Sequence, residues 1–218
     1  MTHKRAFGRF DLQDAGVKGM IEEVFSIELP VGERLVINKN RMTGKRPDSK
    51  RLTIVTGIHG NEFEGQFVCY EVIRRIMTDK EKLTGTVDVY PALNPLGLDV
   101  AARMIPKQNL DLNGIFPGKE SGTTMERVAA AIVRDISGAD MCLDVHASDS
   151  FVKEIPQVRV NEKFADKLLP FARLLNTDMV WTNASVTVHE STLAYSMNML
   201  GVPSMVVEMG VGTRIDRG

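Results

Sequence analysis

The chain has 218 residues, 43% of them hydrophobic and 25% charged, and its formal net charge is -1. That is the profile of an ordinary soluble globular chain, long enough to bury a core without crosslinks. It offers no basic field for nucleic acid, no apolar run long enough to span a membrane, and only two cysteines, too few for a disulfide framework.

In chain order, Met1 to Asp11 carries no apolar stretch of signal-peptide length, so a cytoplasmic location is expected. Val24 to Leu29 alternates weakly and reads as a strand closed by Pro30, with Arg34 to Asn38 as its partner across Val31-Gly32-Glu33. Asn40 to Lys50 is polar, contains Gly44, Pro47 and Asp48, and reads as a loop. Residues 1–50 are therefore expected to form an N-terminal β region. From Arg51 the pattern changes. Leu52 to Thr56 reads as a short apolar strand ended by Gly57. Glu62 to Met77 carries Phe63, Phe67, Tyr70, Ile73 and Met77 at helical spacing. Thr86 to Leu93 reads as a strand stopped by Asn94-Pro95. Asn94 to Gly122 shows no clear element, a length that compact domains mostly reserve for functional or disordered segments.

Thr124 to Ile136 is helical, with Met125, Val128, Ile132, Val133 and Ile136 on one side and Gly138 as its stop. Ala139 to Val145 is an apolar strand with Asp144 set into it. Asn161 is placed to cap a helix through Leu175, and Met179 to Trp181 reads as another strand. Glu190 to Leu200 is helical, stopped by Gly201 and Pro203, and Ser204 to Val207 is the last strand. Cys69 and Cys142 sit in apolar runs as small core residues. Alternating strands and helices from residue 51 onward predict an α/β fold, a mostly parallel mixed sheet flanked by helices on both faces.

In open α/β sheets, ligands bind beyond the carboxyl ends of the strands. His59, Asn94, His146 and Glu208 each follow a predicted strand, so four strands deliver polar side chains to one sheet edge. Histidines are scarce: His3, His59, His146 and His189 are all there are. Gly57-Ile58-His59-Gly60-Asn61-Glu62 places a histidine and a glutamate three apart at a strand-to-helix junction, and the two glycines permit a tight turn. Imidazole nitrogen and carboxylate oxygen suit zinc, and two histidines with one glutamate leave a fourth position for water. Each residue also has a plainer reading. Glu62 would complement the helix dipole beside an incidental His59. His146 would be a hydrogen-bonded core histidine, and Glu208 would form a salt bridge to Arg214 or another cation. His189 precedes a predicted helix and reads as part of its capping region, and Asp149 has no assigned role.

These segments resemble the succinylglutamate desuccinylase/aspartoacylase family, itself similar to the zinc carboxypeptidases. The resemblance rests on Gly57-Ile58-His59-Gly60-Asn61-Glu62, Asn94-Pro95, Arg103, Asp111-Leu112-Asn113, Phe116-Pro117-Gly118, Asp144-Val145-His146 and Val207-Glu208-Met209-Gly210, in family order from about residue 52 to 212. It implies a zinc hydrolase domain over residues 51–218 that cleaves the amide bond of a small N-acylated amino acid or similar amide. His59, Glu62 and His146 would bind one zinc ion per chain. Glu208 would take a proton from the water at the zinc and pass it to the leaving amine. Arg103 would polarise the scissile carbonyl, Asp111 would orient His59, and Asn113 would contact the substrate's carboxylate. The partner would be a small-molecule N-acyl substrate, with no nucleic acid and no membrane; a homo-oligomer is left open.

Two positions depart from the family pattern. Gly114 stands where the family usually has an arginine that forms half of a carboxylate clamp. The chain also ends ten residues past Glu208, so the family's C-terminal β-rich region is expected to be absent. These departures keep two alternatives in play: a carboxypeptidase-like zinc peptidase, and a non-catalytic zinc- or ligand-binding relative. Arg159 and Arg214 are the cations available to replace the missing clamp.

Overall fold

The computed structural model describes residues 18–29, 32–148, 150–184 and 191–215. His189 and Asp149 lie outside the described residues, as do Val31 and Glu190 at the expected turn and helix start. The elements run β1 (Lys18–Glu28), β2 (Arg34–Thr43), β3 (Arg51–Thr56), α1 (Glu64–Thr78), β4 (Thr86–Tyr90), α2 (Pro95–Asp99), α3 (Thr124–Ile136), β5 (Met141–Ala147), β6 (Glu154–Asn161), α4 (Ala165–Ala172), β7 (Met179–Asn183), α5 (Leu193–Met199) and β8 (Ser204–Gly210).

One eight-stranded sheet carries them in the order β1-β2-β4-β3-β5-β8-β6-β7. Its centre is parallel: β4, β3, β5 and β8 run the same way. The β1–β2 hairpin joins antiparallel through β2–β4, and β6 joins antiparallel to β8 before pairing parallel with β7. Side chains alternate across the sheet. Ile54, Val87, Val145 and Val207 pack against Cys69 of α1, and Met205 of the same face packs toward Leu168 of α4. Val55, Tyr90 and Cys142 point the other way and pack against α3 and α5. Helices therefore cover both faces, the α/β architecture expected from the sequence.

Local chemistry sets the helix boundaries. The Thr123 hydroxyl accepts from the Glu126 N–H, and the Glu126 carboxylate accepts from the Thr123 N–H at 2.8 Å. This reciprocal cap starts α3. The apolar stripe of α3, Met125 to Ile136, is buried against the sheet. The hairpin is tied to the same helix by charge. Lys39, only 2% exposed, lies 2.6 Å from Asp135 of α3, and Arg41 makes two 2.8 Å contacts with fully buried Asp88 of β4. Buried charges are tolerated only with such partners.

Several boundaries differ from the sequence expectation. β2 continues to Thr43, because its residues 40–43 pair with β4; only the rest of the expected loop is irregular. The stretch from Asn94 to Gly122 holds α2 and a single 3-10 turn at Leu112–Gly114. The Asn94 side chain caps α2, accepting from the Gly97 N–H at 2.9 Å, with Pro95 in the first turn. Residues 154–161, to which the sequence reading assigns no element, form β6, and Asn161 caps a 3-10 turn that precedes α4. β5 and β8 run past their apolar cores to Ala147 and Gly210, so His146 and Glu208 sit inside strands and not after them.

Candidate metal and substrate site

The first loop of the site follows β3. Glu62 precedes α1, which begins at Glu64, so the 3-residue spacing from His59 belongs to a loop and not to a helix turn. Gly60 is required there. A Cβ at this position would overlap the backbone of Gly97, so the loop packs directly on α2. The Gly60 N–H also donates to the Arg103 carbonyl at 3.4 Å. This loop delivers His59 and Glu62, each 3% exposed.

β5 delivers His146, and β8 delivers Glu208 beside it. The two are register partners on neighbouring parallel strands. Nδ1 of His59 lies 2.7 Å from Oε1 of Glu62, and Nδ1 of His146 lies 3.0 Å from Oε2 of the same carboxylate. Both imidazoles turn their other nitrogen to an acid. Nε2 of His59 is 3.2 Å from Oδ1 of Asp111, and Nε2 of His146 is 3.0 Å from Oδ1 of Asp144. The candidate donor atoms of His59, Glu62 and His146 lie within 4.8 Å of one another. Two inward nitrogens, each backed by a carboxylate, are the pattern by which proteins orient metal-binding histidines. The residues present thus fit a metal ion.

Electrostatics follow the geometry. Burial works to raise the pKa of the Glu62 carboxyl, but hydrogen bonds and charge from His146 and His59 outweigh it and hold the group well below its usual range. Burial would lower the two histidines, yet Asp111 and Glu62 raise His59, and Asp144 and Glu62 raise His146 further. Glu208 behaves differently. Burial pushes its carboxyl up to about 7, against the opposing pull of His146 and Arg159.

A cavity of about 330 Å³ opens over these groups. His59, His146, Glu208, Arg103, Asn113 and Gly114 line it. Arg103 is half-exposed, with Nη1 3.3 Å from Glu62 and Nη2 3.7 Å from Asp111. Asp111 also accepts from the Asn113 N–H at 2.9 Å, and the Asn113 side chain accepts from the Leu193 N–H at 3.0 Å. The structure thus brings His59, Glu62, His146, Glu208, Arg103, Asp111 and Asn113 together at one sheet edge. Glu208 pairs with Arg159 at 3.1 Å, whereas Arg214 lines a separate hollow with Ser150 and Lys153.

Two participants go beyond the sequence expectation, which gives Asp144 no role and Arg159 only that of a cation available to replace the missing clamp. Asp144 is the i−2 neighbour of His146 and so shares its face of β5; that alternation is the signal that could have found it. Arg159 gives no such local signal, because it reaches the site through long-range pairing of β6 with β8.

A mixed sheet with helices on both faces and a His/Glu/His cluster at the carboxyl end of its parallel strands defines a carboxypeptidase-like α/β protein. The model of the succinylglutamate desuccinylase/aspartoacylase catalytic domain matches residues 48–217, and the chain belongs to that family. Among curated proteins it is 27% identical over 113 residues to N-alpha-acetyl-L-2,4-diaminobutyric acid deacetylase of Halomonas elongata, covering 51% of this chain and 32% of that one. Its fold matches a succinylglutamate desuccinylase/aspartoacylase from Rhodobacter sphaeroides with TM-score 0.77 and 20% identity, over 95% of this chain and 62% of that one. It also matches a metallo-carboxypeptidase from Burkholderia cenocepacia with TM-score 0.68 and 14% identity, over 88% and 56% of the two chains. The chain thus spans about a third of that curated relative's length and about three fifths of the two solved structures.

Proposed function

We propose that the chain is a zinc-dependent deacylase that hydrolyses the amide bond of a small N-acylated amino acid or similar amide. The observation that carries this reading is the single carboxylate of Glu62 facing Nδ1 of both histidines, at 2.7 and 3.0 Å, beneath a cavity that those histidines line together with Glu208 and Arg103. His59, Glu62 and His146 would hold one zinc ion, a donor set that favours zinc over magnesium or calcium. Asp111 orients His59. When bound, the ion supplies Lewis-acid polarisation and makes water more acidic.

The chain's own groups then move the protons. Glu208, with a carboxyl poised at about 7, takes a proton from the attacking water and returns it to the leaving amine. Arg103 reaches into the cavity and donates N–H groups to the carbonyl oxygen as negative charge develops there. Asn113, which lines the cavity, would contact the substrate's carboxylate. Family membership and the likeness to a deacetylase of an N-acetylated diamino acid support the substrate class.

The test is metal analysis of protein made with zinc available, followed by assay on N-α-acetyl-L-2,4-diaminobutyric acid and N-succinyl-L-glutamate. One zinc per chain and turnover abolished by chelator and restored by zinc are expected. Glu208→Gln should keep the zinc and lose roughly 10²- to 10⁴-fold in kcat, the usual contribution of a general base. Absence of zinc, or full activity of Glu208→Gln, would defeat the reading.

A further inference from the structure

Glu208 is held by a guanidinium that is itself immobilised. Nη1 of Arg159 donates to Oε1 of Glu208 at 3.1 Å. Nη2 of the same side chain lies 3.0 and 2.8 Å from the two oxygens of Glu154. The Gln157 amide donates to Glu154 at 3.1 Å, which fixes the far end of the chain of contacts. The guanidinium carbon sits 5.4 Å from the ring centre of Trp181, its register partner on β7. On the other side, Arg159 is the register partner of Val206 on β8, two residues before Glu208.

An exposed Arg–Glu pair contributes little and costs side-chain entropy. This one differs in setting. Arg159 and Glu208 both line the cavity that His59 and His146 line, and the Glu208 side chain is only 14% exposed. Arginine suits the position because its rigid planar fork can face two carboxylates at fixed angles while its flat side stacks on an aromatic ring. A carboxylate that moves protons must present one oxygen at a fixed place, and small misplacements of reacting groups are costly in rate.

We propose that Arg159 is a positioning residue for Glu208: it pins Oε1 and fixes the rotation of the carboxylate, leaving Oε2 as the oxygen that exchanges protons with the reactants. This rests on Glu208 being the base in the reading above. Glu154, Gln157 and Trp181 are the mount for the arginine, so the sheet edge at β6–β7 takes part in the reaction without touching the metal ligands.

The experiment compares Arg159→Met, Arg159→Lys and Glu154→Gln with the parent protein, loaded with zinc, on N-α-acetyl-L-2,4-diaminobutyric acid and N-succinyl-L-glutamate. Arg159→Met is expected to lose roughly ten- to a hundredfold in kcat, with KM changed little and zinc content unchanged. Glu154→Gln should lose less, and Arg159→Lys should recover part of the loss. Crystals of metal-free Arg159→Met should show the Glu208 carboxylate in more than one orientation, against one in the parent. Parent-like kcat in Arg159→Met, or a rise in KM at constant kcat, overturns the proposal. If Arg159→Met does not fold, by its thermal melting, Arg159→Lys and Glu154→Gln decide on the same criteria. If the parent turns over neither compound, the deacylase reading has failed, whereas an unmoved Glu208 in the variant crystals defeats the role of Arg159 alone.

Discussion

Oδ1 of Asp144 lies 3.0 Å from Nε2 of His146, and the Asp144 carboxylate is fully buried with, among the described residues, no hydrogen-bond donor aligned on either oxygen. Such a group is costly unless a positive charge is near. An imidazolium supplies that charge in the metal-free protein; a cation on Nδ1 of His146 would supply it in the loaded one. Asp144→Asn is therefore expected to weaken zinc binding by roughly 10- to 100-fold. Competition with a chromophoric chelator measures this, and parent-like affinity in a folded variant would remove Asp144 from the role.

The same contacts give the metal-free protein a defined pH response. His59 and His146 are raised above the usual 6.5, so their stabilising contribution is fully present below that value and lost as pH rises through the folded-state values. Glu208 acts in the same direction, since a carboxyl raised to about 7 favours the folded state less once it ionises. Glu62, held low, works oppositely and only in acid. Thermal melting after chelation should show a lower midpoint at about pH 9 than at about pH 6. Zinc binding should release protons, which calorimetry in buffers of different ionisation enthalpy would detect. A midpoint that rises toward pH 9 contradicts this account.

Arg103 stands close to Glu62 and Asp111 and half in solvent, where loss of its charge should leave the fold intact. Arg103→Met is expected to reduce kcat by about 10²- to 10³-fold, the scale for removing one oxyanion donor. Circular dichroism and zinc content should match the parent. A change confined to KM would reassign the residue to substrate binding.

Gly114 lines the cavity, and among the described residues nothing stands within 4 Å of where its Cβ would be. Gly114→Arg should therefore fold normally and add a cation to the cavity wall. Its kcat/KM for N-acyl amino acids should rise about tenfold relative to their methyl esters, the scale of one charged hydrogen bond. An unchanged acid-to-ester ratio would show that the arginine does not reach the amine component.

Thr123→Ala removes one half of the cap that starts α3. A loss of about 1 kcal/mol is expected by urea denaturation, with zinc binding unaffected because α3 carries no site residue.

What could be read from the sequence depended on whether the signal was local. The strand ending at Thr56 and the helix from residue 64 are bounded by glycines and periodic apolar residues, so the loop bearing His59 and Glu62 could be placed. β6 could not. Glu154-Ile155-Pro156-Gln157 mixes charge with a proline, and Pro156 lies where the pairing with β8 shifts register, a place that tolerates the missing N–H. Beyond it Val158 and Val160 are buried while Arg159 and Asn161 line the cavity, a period-two pattern too short to stand out. The apolar runs of β5 and β8 end before the strands do, because pairing continues through His146 and Glu208. The partner of Glu208 is a long-range choice between cations that the sequence leaves open.

The contact of Gly60 with the Gly97 backbone, and the Gly60 N–H donated to the Arg103 carbonyl, make two separate loops one mechanical unit. These contacts couple the loop that bears His59 and Glu62 to the segment that bears Arg103, so the scaffold sets the spacing between them. The opposite wall, built by β6, β7 and α5, is joined to that unit through β8 and through the bond from Asn113 to the Leu193 N–H. Sequence change on the α5 side of that wall can therefore reshape the cavity alone, whereas change at β6 and β7 would also move the mount of Arg159 and, with it, Glu208.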